Sequence, residues 1–166
     1  ADLERLEIRT HRALLEQAFL ADDAQRLTQA WADVPKALRE AAPLLGDYAG
    51  YLQEAGHDSQ AERLLRAALR KHWDTGLVEI VGLLDVEEPG KLLSQMEGFL
   101  LDHQDDAALL LTLGRLSLRA RLWGKARGYL EASIARGGPA QAYRELGQLL
   151  ERLNEPDKAI DVYRRA

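Results

Sequence analysis

No cysteine occurs among the 166 residues, which excludes disulfides, thiolate metal sites and cysteine nucleophiles. Aromatic residues amount to only 6%, and β-branched residues are few. Alternating apolar–polar runs of the kind that form half-buried strands are missing. No stretch approaches the ~18 consecutive apolar residues of a membrane span. GxSxG, P-loop and GxGxxG runs are also missing, so acyl transfer, phosphoryl transfer and dinucleotide chemistry lack their usual residues. The opening Ala1-Asp2-Leu3-Glu4 resembles neither a signal peptide nor a natural start. The final residues stop within a helical pattern, so a piece of a longer protein is expected.

What is present is helix-forming. The chain is 46% hydrophobic, enough for a core, and Ala, Leu, Glu, Arg and Gln dominate, all strong helix formers. The net charge of −5 hides an asymmetry. Residues 1–106 hold 11 Lys+Arg against 21 Asp+Glu, a balance of −10, while residues 107–166 hold 11 against 6, a balance of +5. The larger, acidic part repels phosphates, so no nucleic-acid partner is expected. The basic end suits an acidic one.

Self-similarity organises the chain. Leu110, Leu113, Gly114, Ala126, Leu130 and Ser133 recur 33 residues later, in the same size classes, as Tyr143, Leu146, Gly147, Ala159, Tyr163 and Ala166. An earlier segment fits the same template through Leu45, Tyr48, Ala49, Leu52, Gly56, Ala61, Leu65 and Ala68. These are the large and small positions of the tetratricopeptide (TPR) pattern, two antiparallel helices in ~34 residues. Small residues at Ala49, Gly114 and Gly147 let the first helix lie close to the second, where Ala61, Ala126 and Ala159 form the other side of the contact. Gly56 supplies the positive φ a helix C-terminus often needs. The expected fold is all-α, a single TPR solenoid over 1–166. Its parts are an irregular helical stretch 1–41, a repeat 42–72, a degenerate repeat 73–106, a repeat 107–139 and a truncated repeat 140–166. Pro35, Pro43, Pro89, Pro139 and Pro156 fall where helices should begin, and Asp22, Asp58 and Asp105 where N-caps are wanted.

Little here points to catalysis. His11, His57, His72 and His103 show no metal-ligand spacing, and three of them fall at expected helix ends or turns. The pairs Asp22-Asp23, Glu87-Glu88 and Asp105-Asp106 read as solvated turn residues rather than acid–base machinery. The chain is therefore read as no enzyme, with no cofactor and no metal. Trp31, Trp73 and Trp123 serve as core anchors or as docking aromatics. The feature that reaches function lies on the first helices of the last two repeats. Arg115 and Arg119 stand i,i+4 on one face, as do Arg144 and Gln148, followed by Arg152. These rows are expected side by side on a concave wall, as a basic ladder that grips a carboxylate-bearing partner. The alternative is a solvated face paired with Glu145 and Glu151.

The run from Leu109 through Leu122-Trp123-Gly124-Lys125-Ala126-Arg127-Gly128-Tyr129-Leu130-Glu131-Ala132-Ser133 resembles the HemY family. So do Trp31 to Arg39, Tyr48-Ala49, Ala61 to Arg66, and Lys71-His72-Trp73-Asp74. The LWGKARxYLExS stretch is the most specific part, because a generic TPR demands neither its Trp nor its Lys-Ala-Arg. The resemblance implies a non-catalytic scaffold associated with protohaem IX synthesis. It places that scaffold at the bacterial inner membrane, with this domain facing the cytoplasm and the membrane segment outside this sequence. It implies haem-pathway enzymes as protein partners and transfers no catalytic residue. It is distinct from the flavin-dependent oxidase of the same name, whose glycine motif is missing. Two rival expectations are direct haem or porphyrin binding and a general TPR adaptor in secretion or envelope assembly.

Overall fold

The computed structural model describes residues 2–166. Eleven helices and no strand occur among them: α1 (Asp2–Leu20), α2 (Ala24–Ala32), α3 (Ala42–Glu54), α4 (Asp58–Lys71), α5 (Thr75–Leu83), α6 (Pro89–Glu97), α7 (Leu100–His103), α8 (Ala107–Arg119), α9 (Trp123–Ala135), α10 (Ala140–Arg152) and α11 (Pro156–Arg164). The fold is all-α, built of antiparallel TPR-type pairs: α1 with α2, α3 with α4, α8 with α9, and α10 with α11. The chain divides into two compact units, one running to Leu84 and the other from Asp85 to Ala166. The division falls inside the 73–106 stretch. Helix α5 packs on α3 and α4 in the first unit, whereas α6 packs on α8 in the second.

Turn chemistry explains the hairpins. Within each pair, the chain leaves the first helix through one left-handed residue: Asp22 (φ 52°), Gly56 (φ 79°), Arg121 (φ 58°) and Asn154 (φ 59°). The next amide then reaches back to the helix, as His57 N–H to Leu52 C=O at 2.7 Å, Leu122 to Ser117 at 2.9 Å and Glu155 to Leu150 at 2.9 Å. This closure satisfies carbonyls that a helix end leaves unpaired. Gly56 advertises the conformation most plainly, Asp22 and Asn154 are types that visit it readily, and Arg121 adopts it at some cost.

Several expected boundaries move by a residue. The aspartates that cap helices are Asp23, Asp74 and Asp106. Asp23 Oδ1 accepts from Gln25 and Arg26 N–H, and Asp106 Oδ1 from Ala108 and Leu109 N–H. Asp22 cannot cap because its backbone is committed to the left-handed turn. Asp105 instead lies in the turn, where it pairs with Arg136, and His57 occupies the N-cap position ahead of Asp58. His57 thus sits at the positive end of a helix dipole. Pro43, Pro89 and Pro156 open α3, α6 and α11, and Pro139 precedes α10. Pro35 starts no helix. It opens a run of turns to residue 40, beginning with the Leu38 N–H bond to its carbonyl.

Each unit has its own core. In the first, Leu15, Leu27, Leu44, Tyr48, Ala49, Ala61, Leu65 and Val78 are buried. Stacked rings join its helices: Trp31 lies on Tyr48 at 4.4 Å and Phe19 on Tyr51 at 4.6 Å. In the second, Leu111, Ala126, Leu130, Leu146, Leu149 and Ala159 form one cluster, with Trp123 and Tyr163 packed against it. Gly114 and Gly147 sit where helices of a pair touch. A Cβ at Gly114 would lie 2.9 Å from Leu130 Cγ, and one at Gly147 would lie 2.2 Å from Tyr163 Cε1.

Candidate functional site

Helices α8 and α10 are the first helices of neighbouring pairs in the second unit. The small positions Gly114 and Gly147 turn one face of each toward its own partner; the two pairs pack through α9 and α10, and α8 and α10 reach each other through side chains. Arg115 spans the gap between them. Its Nε donates to Glu145 Oε1 and Oε2 at 2.9 and 3.1 Å, and its Nη2 to Oε1 at 2.7 Å. Both side chains are largely covered, 15% and 21% exposed. A planar guanidinium fork on a partly desolvated carboxylate is the strong form of ion pair. Arg115 is therefore not an open rung of a basic ladder. Glu145 takes its charge, because the two meet with room for a bidentate contact.

One turn further along, the two helices border a groove of about 700 Å³. Leu118 and Leu149 give it apolar lining, and Arg119, Gln148, Glu151 and Arg152 line it with polar groups beside Glu145. Arg119, Gln148, Glu151 and Arg152 are solvent-exposed, whereas Glu145 is half-buried. The structure thus brings Arg119, Gln148 and Arg152 to one groove with Arg115 in its supporting pair. Arg144 is exposed but does not line it. With Arg115 counted, three arginines face two glutamates, so the groove retains a cationic surplus of one.

The residues of the LWGKARxYLExS stretch turn out to be ties around α9. Trp123 opens the helix and packs on the core. Lys125 Nζ and Tyr129 Oη both donate to Glu97 Oε1 at 2.6 Å, joining α9 to α6. Arg127 pairs with Glu131 and, across to α11, with Glu155 at 3.2 Å. Ser133 Oγ donates to the Ala107 carbonyl at the start of α8 at 2.8 Å. Burial works to raise the pKa of Glu97, but the bonds from Lys125 and Tyr129 prevail and hold it below the ordinary glutamate value. Burial and the neighbouring Glu97 push the Tyr129 phenol well above its ordinary range. Both shifts belong to a structural network, since neither group lines the groove.

A second cleft, of about 370 Å³, lies in the first unit, and its position is not among the sequence expectations, although two of the tryptophans singled out there reach it. Trp31 and Trp73 line it with Leu64, Ala67, Ala68 and Leu77, and Arg39, Glu40, Lys71, His72 and Asp74 stand at it as well. Arg39 is anchored by donating to the Val34 and Ala32 carbonyls at 2.9 and 2.8 Å, and Lys71 pairs with Glu40. The segments 31–40 and 71–74 are far apart in sequence and meet only through the packing of α2, α3 and α4. Among the described residues no group of three or more His, Asp or Glu could hold a metal ion. No helix there is long and apolar enough to cross a membrane.

No family model matches the chain. It is 23% identical over 159 residues to Protein HemY of Escherichia coli strain K12, covering 96% of this chain, and equally so to Protein HemY of Shigella flexneri. The chain spans about 40% of the length of these curated relatives. Two solved structures of MamA, a TPR protein, superpose with a TM-score of 0.60 each. They are 17% and 18% identical and cover 95% and 91% of this chain, with 88% and 91% of their own length matched. At that identity the likeness speaks to architecture, and it agrees with the helix pairs: this is a TPR-type helical repeat fold.

Proposed function

We propose that the chain is a non-catalytic TPR scaffold that holds a carboxylate-bearing segment of a partner protein in the groove between α8 and α10. The observation that carries this reading is the convergence of Arg119, Gln148 and Arg152 from two helices onto one partly apolar groove. A groove of this kind offers apolar contact for affinity and arginine forks for orientation. The similarity to HemY supports a place in late haem synthesis at the bacterial inner membrane, with the domain on the cytoplasmic side, haem-pathway enzymes as partners, and attachment through residues outside this sequence. The test begins with the partner that co-purifies with the full-length protein from membranes, identified by mass spectrometry. It is then titrated against Arg119→Ala/Arg152→Ala. Each charged hydrogen bond is worth about 1.5–3 kcal/mol, so the double variant should bind more than tenfold more weakly. Unchanged affinity would remove the groove from the function.

One observation favours a second reading, direct haem or porphyrin binding. The first-unit cleft combines Trp31 and Trp73 with His72 and with Arg39 and Lys71, which is an aromatic wall, a potential iron ligand and cations for propionates. Haemin titration should then give a Soret shift that His72→Ala abolishes. A shift indifferent to His72 rejects this reading.

A further inference from the structure

Helix α1 has two apolar faces. Leu15 and Ala18 are buried, and Ile8, His11 and Phe19 half-buried, on the side that packs into the first unit. The opposite side carries Leu3, Leu6, Leu14 and Leu20, which are 70%, 58%, 45% and 74% exposed. Thr10, Ala13 and Gln17 complete that side and are exposed too. Positions 3, 6, 10, 13, 17 and 20 follow the alternating three-and-four spacing of a coiled-coil seam. Arg12, on the inner side, is bonded to Asp47 of α3 at 2.6 Å and fixes the rotation of α1 so that the seam faces outward.

We infer that this seam pairs α1 with α1 of a second copy of the chain, antiparallel. The charges beside the seam select both occupant and direction. Asp2, Arg9 and Glu16 flank one side, and Glu7 the other. Antiparallel pairing sets a flank against the same flank, so Arg9 of each copy meets Glu16 of the other, twice by symmetry, while Leu3 meets Leu20. Parallel pairing sets Asp2 beside Glu7 and Arg9 beside Leu14. Neither Arg9 nor Glu16 forms a salt bridge among the described residues, and Glu16 acts only electrostatically on Arg12 and Tyr51. A lipid surface fits less well, because an interfacial helix carries a basic border and this border is mostly acidic. The seam is short, about 28 Å for 19 residues, and its middle is Thr10, Ala13 and Gln17. A seam of this length with small and polar residues at its middle is expected to bury less than the roughly 1,200 Å² of stable complexes. The dimer is weak and concentration-dependent.

Sedimentation equilibrium of the 166-residue chain over a wide concentration range reads this directly, with circular dichroism melting as the folding control. Leu6→Glu/Leu20→Glu should abolish dimers while leaving the melt unchanged, since both residues are exposed. Arg9→Glu or Glu16→Arg alone should weaken association about three- to tenfold, each now facing like charges twice. The combined swap should restore the parent affinity. A chain that stays monomeric throughout overturns the inference. So does a dimer that ignores the leucine substitutions, a charge swap that fails to restore affinity, or association with anionic vesicles in place of self-association.

Discussion

At Gly147 the distance of 2.2 Å between an added Cβ and Tyr163 Cε1 means that any side chain must displace an aromatic ring. Gly147→Ala should cost about 1–3 kcal/mol as an overpacked contact, read as a drop in the urea midpoint with an unchanged slope. The cost should shrink in a Tyr163→Leu background, and equal costs in both backgrounds would show that the ring is not the obstacle. Arg121 presents the reverse case. It holds φ 58° in a conformation that glycine adopts without strain, so Arg121→Gly should raise stability by up to about 1 kcal/mol. Glu97 gives a pH dependence. Its pKa is held below 4.5 in the fold, so its contribution is present above the unfolded value and is lost as pH falls through the folded one. Glu97→Gln should therefore flatten the acid limb of the stability curve below about pH 4.5. An identical limb in the variant would mean that other carboxylates govern acid unfolding.

Among the helices, α8 separates two aspartates that the sequence presents as equals. Asp106 bonds two amides at the N-terminus, whereas Asp105 makes a pair with Arg136 and is 80% exposed itself. Asp106→Ala should cost about 1 kcal/mol and Asp105→Ala well under that, as compared by thermal melts. The polar ties also follow a rule at this scale. Arg115–Glu145, Lys125–Glu97, Arg127–Glu155 and Arg136–Asp105 join residues 28 to 31 positions apart, close to one repeat. The first three link successive helix pairs, whereas Arg136–Asp105 ties the end of α9 to the turn that opens α8 within one pair. A double-mutant cycle on Arg115 and Glu145 should give a coupling of about 1–3 kcal/mol, in keeping with a charged, partly buried pair.

For the whole molecule, the surplus of basic residues after position 106 against the acidic remainder means that partner binding, as proposed above, should be salt-sensitive. Affinity should fall between low and high ionic strength, and the slope should flatten in Arg119→Ala/Arg152→Ala. The helical pairs were legible because their causes are local and periodic. The size pattern at 33 residues, prolines at helix starts and the absence of strand alternation all act on near neighbours in the chain. The candidate site was legible only in part. Spacing placed Arg115, Arg119, Gln148 and Arg152 on the faces of two helices, but it could not say that Glu145 would claim Arg115. That outcome depends on how α8 and α10 lie against each other. Nor could it bring Trp31 to Trp73, or divide 73–106 so that α5 joins one compact unit and α6 the other. The sequence alone determined a chain of antiparallel helices with small residues at their contacts, because helix propensity, turn residues and side-chain volume are properties of short segments. Tertiary packing decided which charges are spent internally and which line a groove, because an ion pair forms only where two surfaces distant in sequence meet with matching geometry.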